Sequence, residues 1–246
     1  MMISISEIVK TTCDFYSCFC GTDISNVKQG VRFVCTEDRD HVLNGYGCKY
    51  TVFMLIREKN CIVSYSPAYQ SFFDKQGLQT DIREVISSVK RRFPLKARQL
   101  MVFSEEHVSD YRNAGLLTMA DYPLYETFFK KAHPSASGLD WLKEYYEEKV
   151  EKELFFGYMV DDELVSVCDA PDMPYMEGTV QHTGILTLPE HRRKGYAKCC
   201  AALAAHHHME KAIVPQWDCA LDNEASIALA ESIGYGKFAQ AFFLEE

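Results

Sequence analysis

Two tryptophans, eight prolines and thirteen glycines are all that this 246-residue chain carries of those residues. No repeat and no low-complexity tract accompanies them, so a folded domain is expected rather than a linker or fibre. No apolar run approaches the roughly 20 residues that cross a bilayer. The opening Met1-Met2-Ile3-Ser4-Ile5-Ser6-Glu7 has no basic stretch leading into an apolar core, so no secretory leader is expected. Basic residues are the minority. Lys and Arg number 26 against 35 Asp and Glu, a net charge of −9, which argues against nucleic acid or anionic membrane as the main partner. The ten cysteines lack metal spacing: Cys13, Cys18 and Cys20 lie close together, but no second pair follows at finger distance. Scattered through apolar segments of a chain far larger than a disulfide scaffold, they read as buried reduced thiols. A cytoplasmic protein without a metal is the expectation.

What is present suffices for a sizeable core. Hydrophobic residues make up 47% and aromatics 13%, enough for one large domain or two small ones. Two strands are predicted at 50–56 and 61–65, joined by the polar turn Arg57-Glu58-Lys59-Asn60. A helix follows over 81–93, with Ile82, Val85, Ile86 and Val89 on one face and Pro94 as its stop. A short strand reads at 99–104. From about Tyr111 the pattern shifts. Thr118 caps a helix with Asp121 at its third position. A Glu- and Lys-rich helix spans 139–153. A hairpin of 154–160 and 164–168 turns at Asp161-Asp162-Glu163. A strand over 179–188, a helix from Lys198 to about Met209, a strand over 214–219, a helix over 224–233 and a closing strand over 236–244 complete the order.

Between the strand ending near Leu188 and the helix opening at Lys198 lies Arg192-Arg193-Lys194-Gly195-Tyr196-Ala197. A strand feeding a basic, glycine-containing turn into a helix is a place to hold phosphates, because first-turn amides lack acceptors and the helix dipole is positive there. The turn lacks the GKS or GKT ending of a triphosphate loop and the three glycines of a dinucleotide fingerprint. Arg192-x-x-Gly195-x-Ala197, led in by Pro189-Glu190-His191, resembles the pyrophosphate loop of the GNAT N-acetyltransferase superfamily. The stretch from Gln216 to Tyr235 resembles that family's second signature, in which Asn-x-x-Ser, here Asn223 to Ser226, opens a helix closing on Gly234-Tyr235. Pro215-x-Trp217-Asp218 before it is similar to the zwittermicin-resistance type of these enzymes.

The resemblance implies an α/β (α+β) fold, with a mixed, splayed central sheet flanked by helices over 109–246. A smaller N-terminal α+β domain over 1–108 would precede it. It further implies that acetyl-CoA binds where the strands over 179–188 and 214–219 splay. Arg192, Arg193, Lys194, Gly195, Tyr196 and Ala197 would hold its pyrophosphate, Asn223 and Ser226 would lie near the pantetheine, and a main-chain N–H among Leu186, Thr187 and Leu188 would polarise the thioester carbonyl. For Asn223 a plain helix cap is the competing reading.

The base that frees the amine is sought among Glu177, Gln181, His182 and Asp169. Gln181 has no basic group, and His182 titrates near neutrality. Glu177 and His182 are retained. Ala230 stands seven residues after Asn223, where many members carry the tyrosine that protonates the leaving thiolate; Tyr235 and Tyr196 are the alternatives, and Tyr235 is retained. His206-His207-His208 cannot converge on one ion, since helical neighbours point about 100° apart, and reads as a solvated helix end. Cys219 as an acyl carrier is set aside in favour of direct transfer. Trp217 is expected to fill the core or line the acyl arm. The expected activity is acetyl-CoA-dependent acetylation of a primary amine on a small molecule. The rivals are a protein or peptide N-acetyltransferase and a non-catalytic acyl-CoA sensor. A homodimer is compatible with the sequence.

Overall fold

The computed structural model describes residues 3–25, 29–76, 81–105, 111 and 113–246. It opens with a helix that the sequence reading did not name, α1 (Ile5–Cys20). Its signal was local: Ser4 and Glu7 form a reciprocal capping box, and Gly21 closes the helix at φ +61°. Strands β1 (Gly30–Cys35), β2 (Tyr50–Arg57) and β3 (Asn60–Tyr65) follow, then α2 (Gln70–Gln76), α3 (Ile82–Arg92) and β4 (Lys96–Phe103). The second half contains β5 (Ala114–Leu116), α4 (Tyr122–Ala132), α5 (Leu142–Glu151), β6 (Phe156–Val160) and β7 (Glu163–Asp169). It continues through β8 (Val180–His182), β9 (Gly184–Thr187), α6 (Tyr196–Glu210), β10 (Val214–Ala220), α7 (Glu224–Ser232) and β11 (Tyr235–Glu245).

Two sheets carry these strands, a mixed one ordered β1-β3-β2-β11-β4-β10-β8 and an antiparallel one ordered β5-β6-β7-β9. The α/β class and the mixed, splayed sheet are as expected. The sheet is continuous across the boundary expected at 108/109, because β11 is inserted antiparallel between β2 and β4. That placement explains why β2 shows no alternation of polar and apolar residues. Val52 and Met54 pack under α3 with Val85 and Val89, while Phe53 and Leu55 face the core under α1. A strand covered on both faces reads as a continuous apolar run.

Thr118 opens a 3-10 turn rather than α4 itself, and the Asp121 carboxylate accepts from its N–H and hydroxyl, both at 2.8 Å. The strand expected over 179–188 is broken. β8 ends at His182, Thr183 belongs to neither piece, and β9 crosses to the other sheet. Space forces the small residue after the break: a Cβ on Gly184 would meet Asp169 Oδ1 at 1.8 Å.

Gly234, just before β11, adopts φ +113°, and a Cβ there would lie 2.0 Å from the Glu105 carbonyl oxygen. Its own carbonyl accepts from the N–H groups of Ser104 and Glu105. Gly234→Ala therefore adds backbone strain to a clash with main chain that cannot swing aside. Urea or thermal denaturation of that variant is expected to show a loss of about 2–4 kcal/mol.

Candidate active site at the strand divergence

β8 runs parallel to β10 with Val180 beside Val214 and His182 beside Gln216, and the Thr183 N–H still donates to the Gln216 carbonyl at 3.0 Å. One residue later the partnership ends, since β9 pairs only with β7. Ligands in such sheets sit where neighbouring strands part. β9 presents an open edge to this gap. The Leu188 N–H is spent on Val165 O at 3.0 Å, and Leu186 is aligned with Val167 on β7. Alternation then turns the N–H groups of Thr187 and Ile185 outward. Of the three donors expected from sequence, Leu188 is consumed by the sheet and Leu186 faces it. Thr187 remains, joined by Ile185, which sequence reading missed because only the register reveals it.

Past Thr187 the chain makes a 3-10 turn over Pro189–His191 and reaches the basic loop. Arg192 reaches back to donate from Nε to the Thr187 carbonyl at 3.1 Å, bracing the loop on the strand. Arg193 at φ +61° and Gly195 at φ +85° turn the chain into α6, whose N-cap has no side-chain acceptor. Among the described residues, the N–H groups of Tyr196, Ala197 and Lys198 have no backbone acceptor. Three outward amides, an aligned 15-residue helix and exposed Arg193 and Lys194 fit a diphosphate. A Cβ on Gly195 would meet nothing within 4 Å, so its positive φ, not crowding by the chain, is what calls for glycine. Tyr196 stacks on Tyr158 at 4.4 Å.

At the gap, β10 loses its neighbour, and His182 fills the place. The Asp218 main-chain N–H donates to His182 Nε2 at 3.1 Å, and the same Nε2 lies 3.1 Å from Asp218 Oδ2. Arg98 on β4 donates from Nη1 to Asp218 Oδ1 at 2.5 Å. Burial disfavours a charged imidazole, but the Asp218 carboxylate outweighs it, so His182 sits above its ordinary value. Burial likewise opposes the carboxylate, yet His182 and Arg98 hold Asp218 at about 2. Charge assistance favours a ring proton on Nε2 facing the carboxylate, whereas the Asp218 N–H bond to Nε2 goes with a neutral ring protonated on Nδ1. Nδ1 is buried and has no partner among the described residues. Sequence reading named His182 but not its partners Asp218 and Arg98, which arrive from two other strands.

The remaining candidates separate. Glu177 is exposed and pairs with Lys152 at 3.4 Å, away from this cluster. Gln181 points from β8 to the Pro171 carbonyl at 2.8 Å. Asp169 is held above its ordinary value by burial, with His182 the leading opposing influence. Tyr235 is buried against Trp217 and Phe103. Burial raises its phenol strongly, and only Thr183, at the strand break, opposes that. The two hydroxyls are close enough to interact but do not form a geometrically complete hydrogen bond. Trp217 alternates with Gln216 and Asp218, so Tyr235 approaches the break from the opposite face to His182.

Asn223 is the cap that its competing reading foresaw, accepting from the Ser226 N–H at 3.1 Å. Ser226 Oγ in turn accepts from the Trp217 indole at 3.2 Å, and Trp217 fills the core. The histidine run is not a solvated end: α6 continues to Glu210, His207 meets Glu153 at 3.1 Å, and His208 is buried near Phe156 with its pKa lowered to about 4 by burial. Cys219 is buried, and burial raises its thiol. A thiol so placed is a poor nucleophile. Cys219→Ala is expected to keep turnover within about threefold in an activity assay, since a thiol so placed carries no covalent intermediate.

On the face shared by His182, Gln216 and Asp218 lies a cavity of about 300 Å³. α1, β2, β4 and β11 wall it, and the loop after β7 closes it with Pro171 and Met173. That loop is anchored by the buried Lys149, which binds Asp172, and by Arg39, whose Nη2 donates to the Tyr175 hydroxyl at 3.0 Å.

A model of the GNAT acetyltransferase family matches residues 60–240. A Bacillus subtilis (strain 168) protein described as an uncharacterized N-acetyltransferase, YdfB, is 31% identical over 107 residues, 42% of this chain. The match spans 40% of that relative's length. Among solved structures, an acetyltransferase from the GNAT family of Colwellia psychrerythraea aligns over 99% of this chain and 98% of its own, with a TM-score of 0.58 at 11% identity. A GCN5-related N-acetyltransferase from Sphaerobacter thermophilus aligns over 65% of this chain and 56% of its own, with a TM-score of 0.50 at 12% identity. At such identities the structures speak for the fold. With the family match covering well over half of its length, the chain belongs to the GNAT acetyltransferase family.

Proposed function

We propose that this protein transfers the acetyl group of acetyl-CoA directly to the primary amine of a small molecule. The observation that carries the reading is convergence at one strand break. The open edge of β9, the uncapped start of α6 and the His182–Asp218 pair all meet there. The diphosphate rests on the loop from Arg193 to Ala197 and the free amides of Tyr196, Ala197 and Lys198, helped by Arg192 and Lys194. The turn with Asn223 and Ser226 flanks the arm. The N–H groups of Ile185 and Thr187 stabilise charge as it develops on the thioester oxygen. His182 Nδ1 takes the proton from the attacking amine in the tautomer whose Nε2–H turns to the Asp218 carboxylate, and Asp218 steadies the resulting imidazolium. Tyr235, reaching the break from the other face, supplies the hydroxyl that Ala230 lacks.

A cavity of about 300 Å³ favours a small acceptor over a protein or peptide chain, and residues 1–108 supply much of its wall. One observation supports the sensor reading: Ala230 is fully buried and leaves no hydroxyl at its position. Among the described residues no helix is long and apolar enough to cross a membrane. A cytoplasmic place of action remains part of the proposal.

Calorimetry with acetyl-CoA, followed by CoA release against an amine panel, tests the reading. Binding with amine-stimulated release is expected. Tight binding with no stimulation by any amine would replace the enzyme with a sensor, and no binding would remove both.

A further inference from the structure

The cavity beside His182 is lined by more aromatic rings than charged groups. Tyr16, Phe19, Tyr46, Tyr50, Phe53 and Phe243 surround it. Tyr50 stacks on Phe243 at 4.2 Å, and Phe19 on Phe53 at 5.0 Å. We propose, resting on the acetyltransferase reading, that the acceptor is a monoamine carrying one aromatic ring on a short arm. The ring lies among these aromatics, and the amine points at His182.

Four observations select this class. The first is size: about 300 Å³ stands at the small end of ligand sites, which run from about 300 to 1,000 Å³, enough for one ring and a short chain. The second is charge. The carboxylates on the cavity wall are Asp218 and Glu245. Asp218 is committed to Arg98 and His182, and Glu245 to Lys96 at 2.6 Å. Among the described residues no carboxylate of the wall is left over for a second or third ammonium, so a polyamine or an amino-sugar polycation meets no counter-charge there. The third is that Arg98, the guanidinium of the cavity, is already bound to Asp218. A carboxylate next to the acceptor amine would face Asp218 without a free cation, which disfavours aromatic amino acids.

The fourth is a polar atom in waiting. Gln216 is 1% exposed; its Nε2 donates to Thr12 Oγ1 at 2.9 Å, but its Oε1 has no partner. Gln216 is aligned with His182 across the strands, and both line the cavity. A buried acceptor left unpaired is costly, and an amine N–H satisfies it. The surrounding ring faces suit the same nitrogen when it arrives as an ammonium. The amine is thus held between Gln216 Oε1 and His182 Nδ1, the atom that removes its proton.

The test is calorimetry on the full chain, alone and saturated with CoA, titrating 2-phenylethylamine, phenylalanine, n-butylamine and spermidine. 2-Phenylethylamine is expected to bind at least about tenfold more tightly than each of the others. Cys48 is half-buried on the cavity wall, and Cys48→Trp fills the space. That variant is expected to lose phenylethylamine binding by about tenfold or more while keeping the wild-type affinity for CoA. Tyr46→Phe retains binding and Tyr46→Ala weakens it. Equal or tighter binding of spermidine or n-butylamine, or binding indifferent to Cys48→Trp, overturns the inference. The CoA titration separates the two claims. CoA binding with the wrong amine preference sinks only the acceptor class, whereas absent CoA binding sinks the acetyltransferase reading and leaves the amine titration to judge the cavity.

Discussion

His182→Gln is expected to lower kcat/KM by about 10²–10⁴-fold while leaving the affinity for acetyl-CoA unchanged. The side chain bridges a gap between strands, and its Nδ1 is buried without a partner among the described residues. Its pH dependence gives a sharper reading than the loss alone. A base must be neutral to act, so kcat/KM in the wild type rises with pH through the pKa of His182. Asp218 holds that value above the ordinary 6.5. In Asp218→Asn the carboxylate is gone and burial is left unopposed, so the rising limb moves to lower pH. Stability shifts the opposite way. The proton that His182 binds favours the folded chain at pH below the unfolded value, and that contribution disappears as pH rises through the folded value. Asp218, held at about 2, contributes stability above its unfolded value and loses it as pH falls toward 2. A rising limb unchanged in Asp218→Asn would show that another group removes the proton.

Gly195→Val is expected to weaken acetyl-CoA binding by about ten- to a hundredfold with little change in melting temperature. The residue is exposed and sits at φ +85°, a conformation costing other residues roughly 1–2 kcal/mol. Relaxing that strain rotates the peptide that aims the first amides of α6. Each well-aimed hydrogen bond to a charged group is worth about 1.5–3 kcal/mol, so losing the aim of one or two accounts for the effect. Isothermal titration with CoA reads the change directly, and the unaltered melting curve separates it from unfolding. Unchanged affinity would mean that the diphosphate rests elsewhere.

What could be read from the sequence follows what is local in it. The phosphate turn was legible because strand, turn and helix are contiguous, and its glycine does stand at a positive φ. The order of elements from Thr118 onward was legible for the same reason. α1 went unread although Ser4 and Glu7 announced it, because its aromatic residues and cysteines do not look like a helix until the cavity wall they form is seen. The break at Thr183 was invisible, since 179–188 reads as one continuous strand in which only Gly184 hints at crowding by Asp169. His182 could be named, but whether it faced the cavity depended on register. Its relation to Asp218, Arg98 and Gln216 is made by strand neighbours from three parts of the chain. The buried position of His208 was likewise a matter of which side of α6 meets β6.

The position of β11 has a consequence for the birth of the molecule. β2 and β4 are synthesised early, yet the strand that zips them together comes most of the chain's length later. Until it emerges from the ribosome, both hold unpaired, strongly apolar edges, the kind that adhere to other nascent chains. A chaperone that shields such edges, or slow growth temperatures that lessen crowding, should therefore govern how much active material a cell accumulates.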